Sequence, residues 1–281
     1  MAGTLKIDPL GTVGGEIVQN AANIILSGAS YSFVDANNRN ALSALSTNLS
    51  AGSFTLENGA NFTTAGAFSN AGMMDIGAGD IFSVDGGASV FTQTAGTTEV
   101  DGTLTASSIT VGGGLMEGTG QLNGSLTVNG GVVKPGDSPG EVTVNGSYTE
   151  SSTGELLIQI AGVNSFDILN VNGQANLGGT VSFDAMSGFV AAAGESFLFL
   201  DYNSLNGSFN TVDLSGLNLA SGLTAQVLYA VGNGNQAELL INGPASSQTP
   251  EPSMFFLFAG GLAALAAVHF ARKQRTQSKE R

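Results

Sequence analysis

The stretch GDSPG, Gly136 to Gly140, has the G-x-S-x-G spacing of a nucleophile elbow, in which a serine on a sharp turn attacks an acyl carbon. The elbow takes the backbone N–H of the residue after the serine as an oxyanion donor, and here that residue is Pro139, which has none. The base is missing too, because the one histidine, His269, lies in an apolar run near the chain end. KPGDSPGEV therefore reads as a tight turn. MMDIGAGDIFSVDGG spaces Asp75, Asp80 and Asp85 five residues apart. A Ca²⁺ site needs several oxygens converging on one ion, and neither the EF-hand spacing nor the glycine-rich nonapeptide roll is present. These read as separate turn carboxylates, and no metal is expected.

With no cysteine there is no disulfide framework, thiolate metal site or thiol nucleophile. A glycosidase needs only two carboxylates, and an acidic chain offers many pairs. Cleaving an acidic polysaccharide would also call for cationic groups, and the body has only Lys6, Arg39 and Lys134. Up to Glu251, 21 acidic residues stand against those three, a net of −18. Such a surface repels phosphate backbones and acidic glycans alike, so no nucleic-acid partner, no cofactor and no enzymatic activity are expected. A polysaccharide-active enzyme is the alternative.

Any such residues must be positioned by strands. The chain has 281 residues, 42% hydrophobic and 11% charged, with 41 glycines and 6 prolines, a composition of many short strands and tight turns. From Gly52 to Ile160 it runs through alternating pieces such as SFTL, NFTT, IFSV, GTLTA and EVTVNG, each with one face to bury. Asn-Gly at 58–59, 123–124, 129–130 and 145–146, and Asp-Gly at 85–86 and 101–102, supply positive φ for sharp corners or for two-residue hairpins. NFTTAGAFSNAG (61–72) and VFTQTAGTTEVDG (90–102) resemble each other at a 29-residue offset, which favours repetition over a meander. The expected fold is all-β: a right-handed parallel β-helix (β-solenoid) over 1–165, a β-rich cap over 166–242, and a linker over 243–253. LTAQVLYAVGNGNQAELLING reads as a closing hairpin, and ANNRNALSALSTNLSA (36–51) is the one helical candidate in the body, with a loop or an N-terminal insertion as the alternative.

After the linker the texture changes abruptly. Met254 to Phe270, MFFLFAGGLAALAAVHF, is a 17-residue apolar run, about 26 Å as a helix. It reads as a single transmembrane helix over 254–271, crossing a core of about 30 Å with local thinning. Arg272, Lys273 and Arg275 open a basic tail over 272–281, which by the positive-inside rule stays cytoplasmic as a stop signal while the body faces outward.

Pro250-Glu251-Pro252-Ser253, the apolar helix and the basic tail together resemble the PEP-CTERM sorting signal of Gram-negative bacteria that make extracellular polysaccharide. The resemblance implies that Pro250, Glu251 and Pro252 are recognised by an exosortase, a membrane processing enzyme that removes the tail during delivery from the inner membrane to the cell surface or extracellular matrix. The helix departs from the pattern in carrying His269. GTGQLNGSLTVNGGVVKPGDSPGEVTVNGSYTESSTGELLIQIAG and FDILNVNGQANLGGTVSF are similar to the autotransporter-associated β-strand repeats of bacterial surface proteins. That similarity implies a β-helical fold and no particular activity. The combined expectation is a structural or adhesion protein that contacts extracellular polysaccharide, or else one anchored permanently by its terminal helix. Sorting presupposes export, and MAGTLKIDPLGTVGG lacks a signal-peptide pattern, so the gene is expected to start further upstream.

Overall fold

The computed structural model describes residues 4–7, 16–35, 37–137, 139–186 and 188–244. Alternation is what organises them. Along Ser53–Glu57, Asn61–Thr64, Met73–Ile76 and Ile81–Val84, every second side chain is buried, as a strand with one apolar face requires. These strands do not fold back on their neighbours in sequence. Each pairs in parallel with a strand one circuit later: Ser53–Glu57 with Met73–Ile76, Asn61–Thr64 with Ile81–Val84, and Phe68–Asn70 with Val90–Gln93. The protein is thus all-β with parallel sheets, an arrangement compatible with a β-solenoid.

A circuit contains three strand positions. The first face runs from Asn23–Ser27 to Thr211–Gly216 as one parallel stack. The second and third faces begin separately and merge where Thr103–Val111 pairs with Ile81–Val84 through its first residues and with Val90–Gln93 through its last. The corner between them has there become an irregularity within one strand, between Thr105 and Ser108 in the pairing with Gln121–Val128.

Inside, the faces contribute columns to one core. The second face stacks Phe62 on Phe82, then Leu104, Leu122, Val144, Val171 and Tyr202 in register. Phe82 lies 4.9 Å from Phe68 and 5.9 Å from Phe54 between ring centroids, so the three faces meet through aromatic side chains at this level. Beside them runs a buried polar column. Asn20 Nδ2 donates to Asn48 Oδ1 (2.9 Å), Asn48 Nδ2 to Asn70 Oδ1 (2.8 Å), and Asn70 Nδ2 to Gln93 Oε1 (2.9 Å). An amide can sit inside only when both ends are satisfied, and stacking amides one strand apart lets each donate to the next, head to tail.

Corners are set by glycine. At Gly96 an added Cβ would press into the carbonyl of Gly72, and at Gly114 into that of Gly96, so a stack of backbones without side chains turns the chain from the third face to the first. The Asn-Gly and Asp-Gly pairs at 58–59, 101–102 and 145–146 are corners between strands that do not pair with each other. Asn58 and Gly59 have φ of 62° and 86°, the left-handed backbone such a corner needs.

Two expectations are corrected. The 29-residue offset aligned Phe62 with Phe91, but Phe62 pairs with Phe82 and Phe91 with Phe68. Circuit length is not constant: the step to the first-face partner is 17 residues from Leu115 to Val132 and 31 from Thr180 to Thr211. The stretch at 36–51 is a loop, the alternative to a helix, where it is described. Turns there bury Ala41, Leu42 and Leu45 before the short strand Thr47–Asn48. The closing hairpin is present as Thr224–Val231 paired antiparallel with Gln236–Asn242, and the second of these strands lies antiparallel on Ser196–Gly207.

Candidate functional site

The sorting residues Pro250, Glu251 and Pro252, the span Met254 to Phe270 and the basic Arg272, Lys273 and Arg275 lie outside the described residues, as do Ser138 and His269. Among the described residues no helix is long and apolar enough to cross a membrane.

The three aspartates of the acidic stretch go to three places. Asp75 faces outward from the first face. Asp80 is buried at a corner, where its Oδ1 accepts from the N–H groups of Gly59 (2.6 Å) and Ala60 (2.7 Å), bracing the preceding circuit. Asp85 opens a short 3₁₀ turn and accepts from the Ser89 hydroxyl at 2.8 Å. Register does bring carboxylates together, but different ones: Asp75 pairs with Glu99, Glu99 with Glu117, and Glu117 with Lys134, to which it forms an ion pair. Successive members of this stripe are one strand spacing apart, about 4.8 Å. Partial burial first, then the neighbouring carboxylates, raises Asp75 and Glu99 above the usual range. Among the described residues no group of three or more metal-ligating side chains is placed to hold an ion.

Two acidic groups are held inside. Asp167 is fully buried, and its oxygens accept from Gly140 N (3.0 Å) and Gln159 N (2.9 Å). Desolvation pushes its pKa up to about 6, against the pull of those N–H groups and of Lys134. It therefore holds Gly140, the last residue of the stretch with the nucleophile-elbow spacing. Glu150 points inward beside Val128, with Oε2 accepting from the Tyr148 hydroxyl at 2.6 Å and Oε1 without a hydrogen-bond partner. Burial lifts its pKa to about 8; the Tyr148 hydroxyl and the Thr180 N–H, which bonds to the Gly154 carbonyl at 3.0 Å, oppose the shift.

A concavity of about 490 Å³ lies on the second face at its C-terminal end. Glu141 comes from Glu141–Val144, Asn170 and Asn172 from Ile168–Leu177, Asp201 and Asn203 from Ser196–Gly207, and Asn235 from the turn of the closing hairpin. Alternation places them there, since each flanks a buried residue: Val142, Leu169, Val171 and Tyr202 point inward. Glu141 accepts from Asn170 Nδ2, and Asp201 Oδ1 accepts from Gln236 Nε2 at 2.6 Å. Tyr202, buried, accepts from Ala230 N and donates to Gln236 O, both at 3.0 Å, and so ties the hairpin to the groove wall.

An exposed amide ladder leads into this groove. Asn172 Nδ2 donates to Asn145 Oδ1 (2.6 Å), Asn145 Nδ2 to Asn123 Oδ1 (2.7 Å), and Asn123 Nδ2 to Thr105 Oγ1 (3.3 Å). The Asn-Gly pairs were legible as turns, but that Asn123, Asn145 and Asn172 share one column was not. Their spacing in sequence was the available signal, and uneven circuits concealed it.

No protein-family model matches this chain, and no curated protein matches it.

Proposed function

We propose that this chain is a cell-surface or extracellular-matrix protein, structural or adhesive in role, carried to its place by its C-terminal segment. The observation that carries the reading is the order of parts at the end of the sequence: Pro250-Glu251-Pro252, a 17-residue apolar run, then Arg272, Lys273 and Arg275. An apolar run followed directly by cations is what halts a chain in a bilayer with its tail inside. The tripeptide is unnecessary for halting and serves as the mark read by an exosortase-type membrane partner. The body is a right-handed parallel β-helix whose outward columns of Thr, Asn and Asp face extracellular polysaccharide. Support for that body comes from parallel pairing one circuit apart, combined with a polar exterior.

The test replaces Pro250, Glu251 and Pro252 by alanine in the producing cell and follows the protein by fractionation. Wild-type protein is expected at the surface and the variant in the inner membrane. An unchanged distribution contradicts the sorting role, and wild-type protein that stays in the membrane makes the helix a permanent anchor.

A further inference from the structure

We propose that the groove bounded by Glu141, Asn172, Asp201, Asn203 and Asn235 binds an uncharged, hydroxyl-rich glycan chain. The proposal rests on the reading of the body as facing polysaccharide, and it names the class of polysaccharide.

The groove is built before any ligand arrives. The Tyr202 hydroxyl and Gln236 fix the hairpin against Ser196–Gly207, so the wall carrying Asn235 needs no ordering on binding. Its polar groups lie on a grid, with about 4.8 Å between strands and about 7 Å between same-face residues along a strand. Such a grid presents repeated partners to a repeating polymer.

The direction of the amide ladder sets what the groove lacks. Each asparagine in the column spends a donor on the circuit before it, so Asn172, last in the ladder, brings to the groove a carbonyl oxygen that accepts no hydrogen bond among the described residues. Glu141 and Asp201 are each oriented by one amide donor, which leaves further carboxylate lone pairs for a ligand. Acceptors therefore outnumber donors, and the matching ligand must donate. Sugar hydroxyls do so from all sides, without charge. A uronate or sulfated glycan would set its anions against Glu141 and Asp201 with no Lys or Arg in the lining to offset them. The one aromatic side chain in the lining, Tyr202, is buried and already bonded at its hydroxyl, so recognition is by hydrogen bonds rather than by stacking.

The experiment is calorimetric titration of the full chain with cellohexaose, maltohexaose, hexaglucosamine and hexagalacturonate, repeated on N203W, which fills the groove from an exposed position, and on T127W, which places the same bulk on the third face. The expected result is saturable binding of at least one neutral hexamer, weakened at least about tenfold by N203W and unchanged by T127W. No binding of either neutral hexamer, binding indifferent to N203W, or tighter binding of the acidic or the cationic hexamer overturns the proposal. Failure here leaves the surface location standing, because fractionation decides that separately; a chain that binds neutral hexamers but never leaves the cytoplasm removes the location reading and keeps the groove.

Discussion

Glu150 occupies an interior position that its neighbours leave to apolar side chains: Val128 pairs with it on one side, and the same register carries on to Leu177. Burial disfavours the charged form, one of its oxygens having no hydrogen-bond partner, and its pKa rises from the ordinary 4.5 to about 8. The folded chain therefore holds a proton that the unfolded chain gives up above its ordinary pKa. Stability contributed in this way is greatest below the unfolded value, falls as pH rises through the interval, and is fully lost above about 8. Thermal melts at intervals between pH 5 and 9 should show a falling midpoint, and Glu150→Gln should flatten that decline while leaving the acid limb in place. Asp167, raised to about 6, adds a smaller decline of the same sign at lower pH. An E150Q profile parallel to the wild type would show that Glu150 is ionised in the fold.

Strand by strand, the molecule depends on repeating contacts one circuit apart, and single changes break them in different ways. Gly96→Ala pushes a methyl into the Gly72 carbonyl, backbone against backbone, and should cost about 1–3 kcal/mol in denaturant melts. Asn48→Leu removes the middle of the buried amide column, leaving Asn20 Nδ2 only its bond to Ser53 O and Asn70 Oδ1 only its bond from Gly72 N, an expected loss of about 1–3 kcal/mol. A neutral Asn48→Leu would mean the column is hydrated rather than self-satisfied. At this level the sequence was informative about each strand and poor about its partner. Alternation in IFSV or EVTV shows which residues point inward, and Thr224–Asn242 shows a hairpin, because those are local properties. Whether Phe62 stacks on Phe82 or Phe91 depends on loop lengths between strands, which short corners and long excursions change from one circuit to the next. The groove was hidden for the same reason. Glu141, Asn172 and Asp201 come from three successive circuits, and only register brings them together. The buried Glu150 had no sequence mark at all, since YTES alternates equally well with Glu outward.

Across the whole molecule, charge is distributed against stability. Asp75, Glu99 and Glu117 stack on adjacent strands of the first face, and Lys134 relieves only the last. Like charges directly opposite each other on adjacent strands are destabilising. Glu99→Gln should therefore raise the melting midpoint at pH 7, and added salt should raise that of the wild type more than that of the variant. Equal salt responses would mean the stripe is already neutralised. A body of net −18 bears that cost and in return stays soluble and repels anionic polymers. Both properties accord with the proposed surface location and with the proposed uncharged ligand of the groove.

The most direct test of the account is the intact mass of the protein recovered from the surface fraction of its own host. Removal of the tail during sorting would leave a C-terminus near Pro250 to Ser253, with the apolar run and the basic tail gone. A mass that still includes Arg281 in that fraction would contradict it.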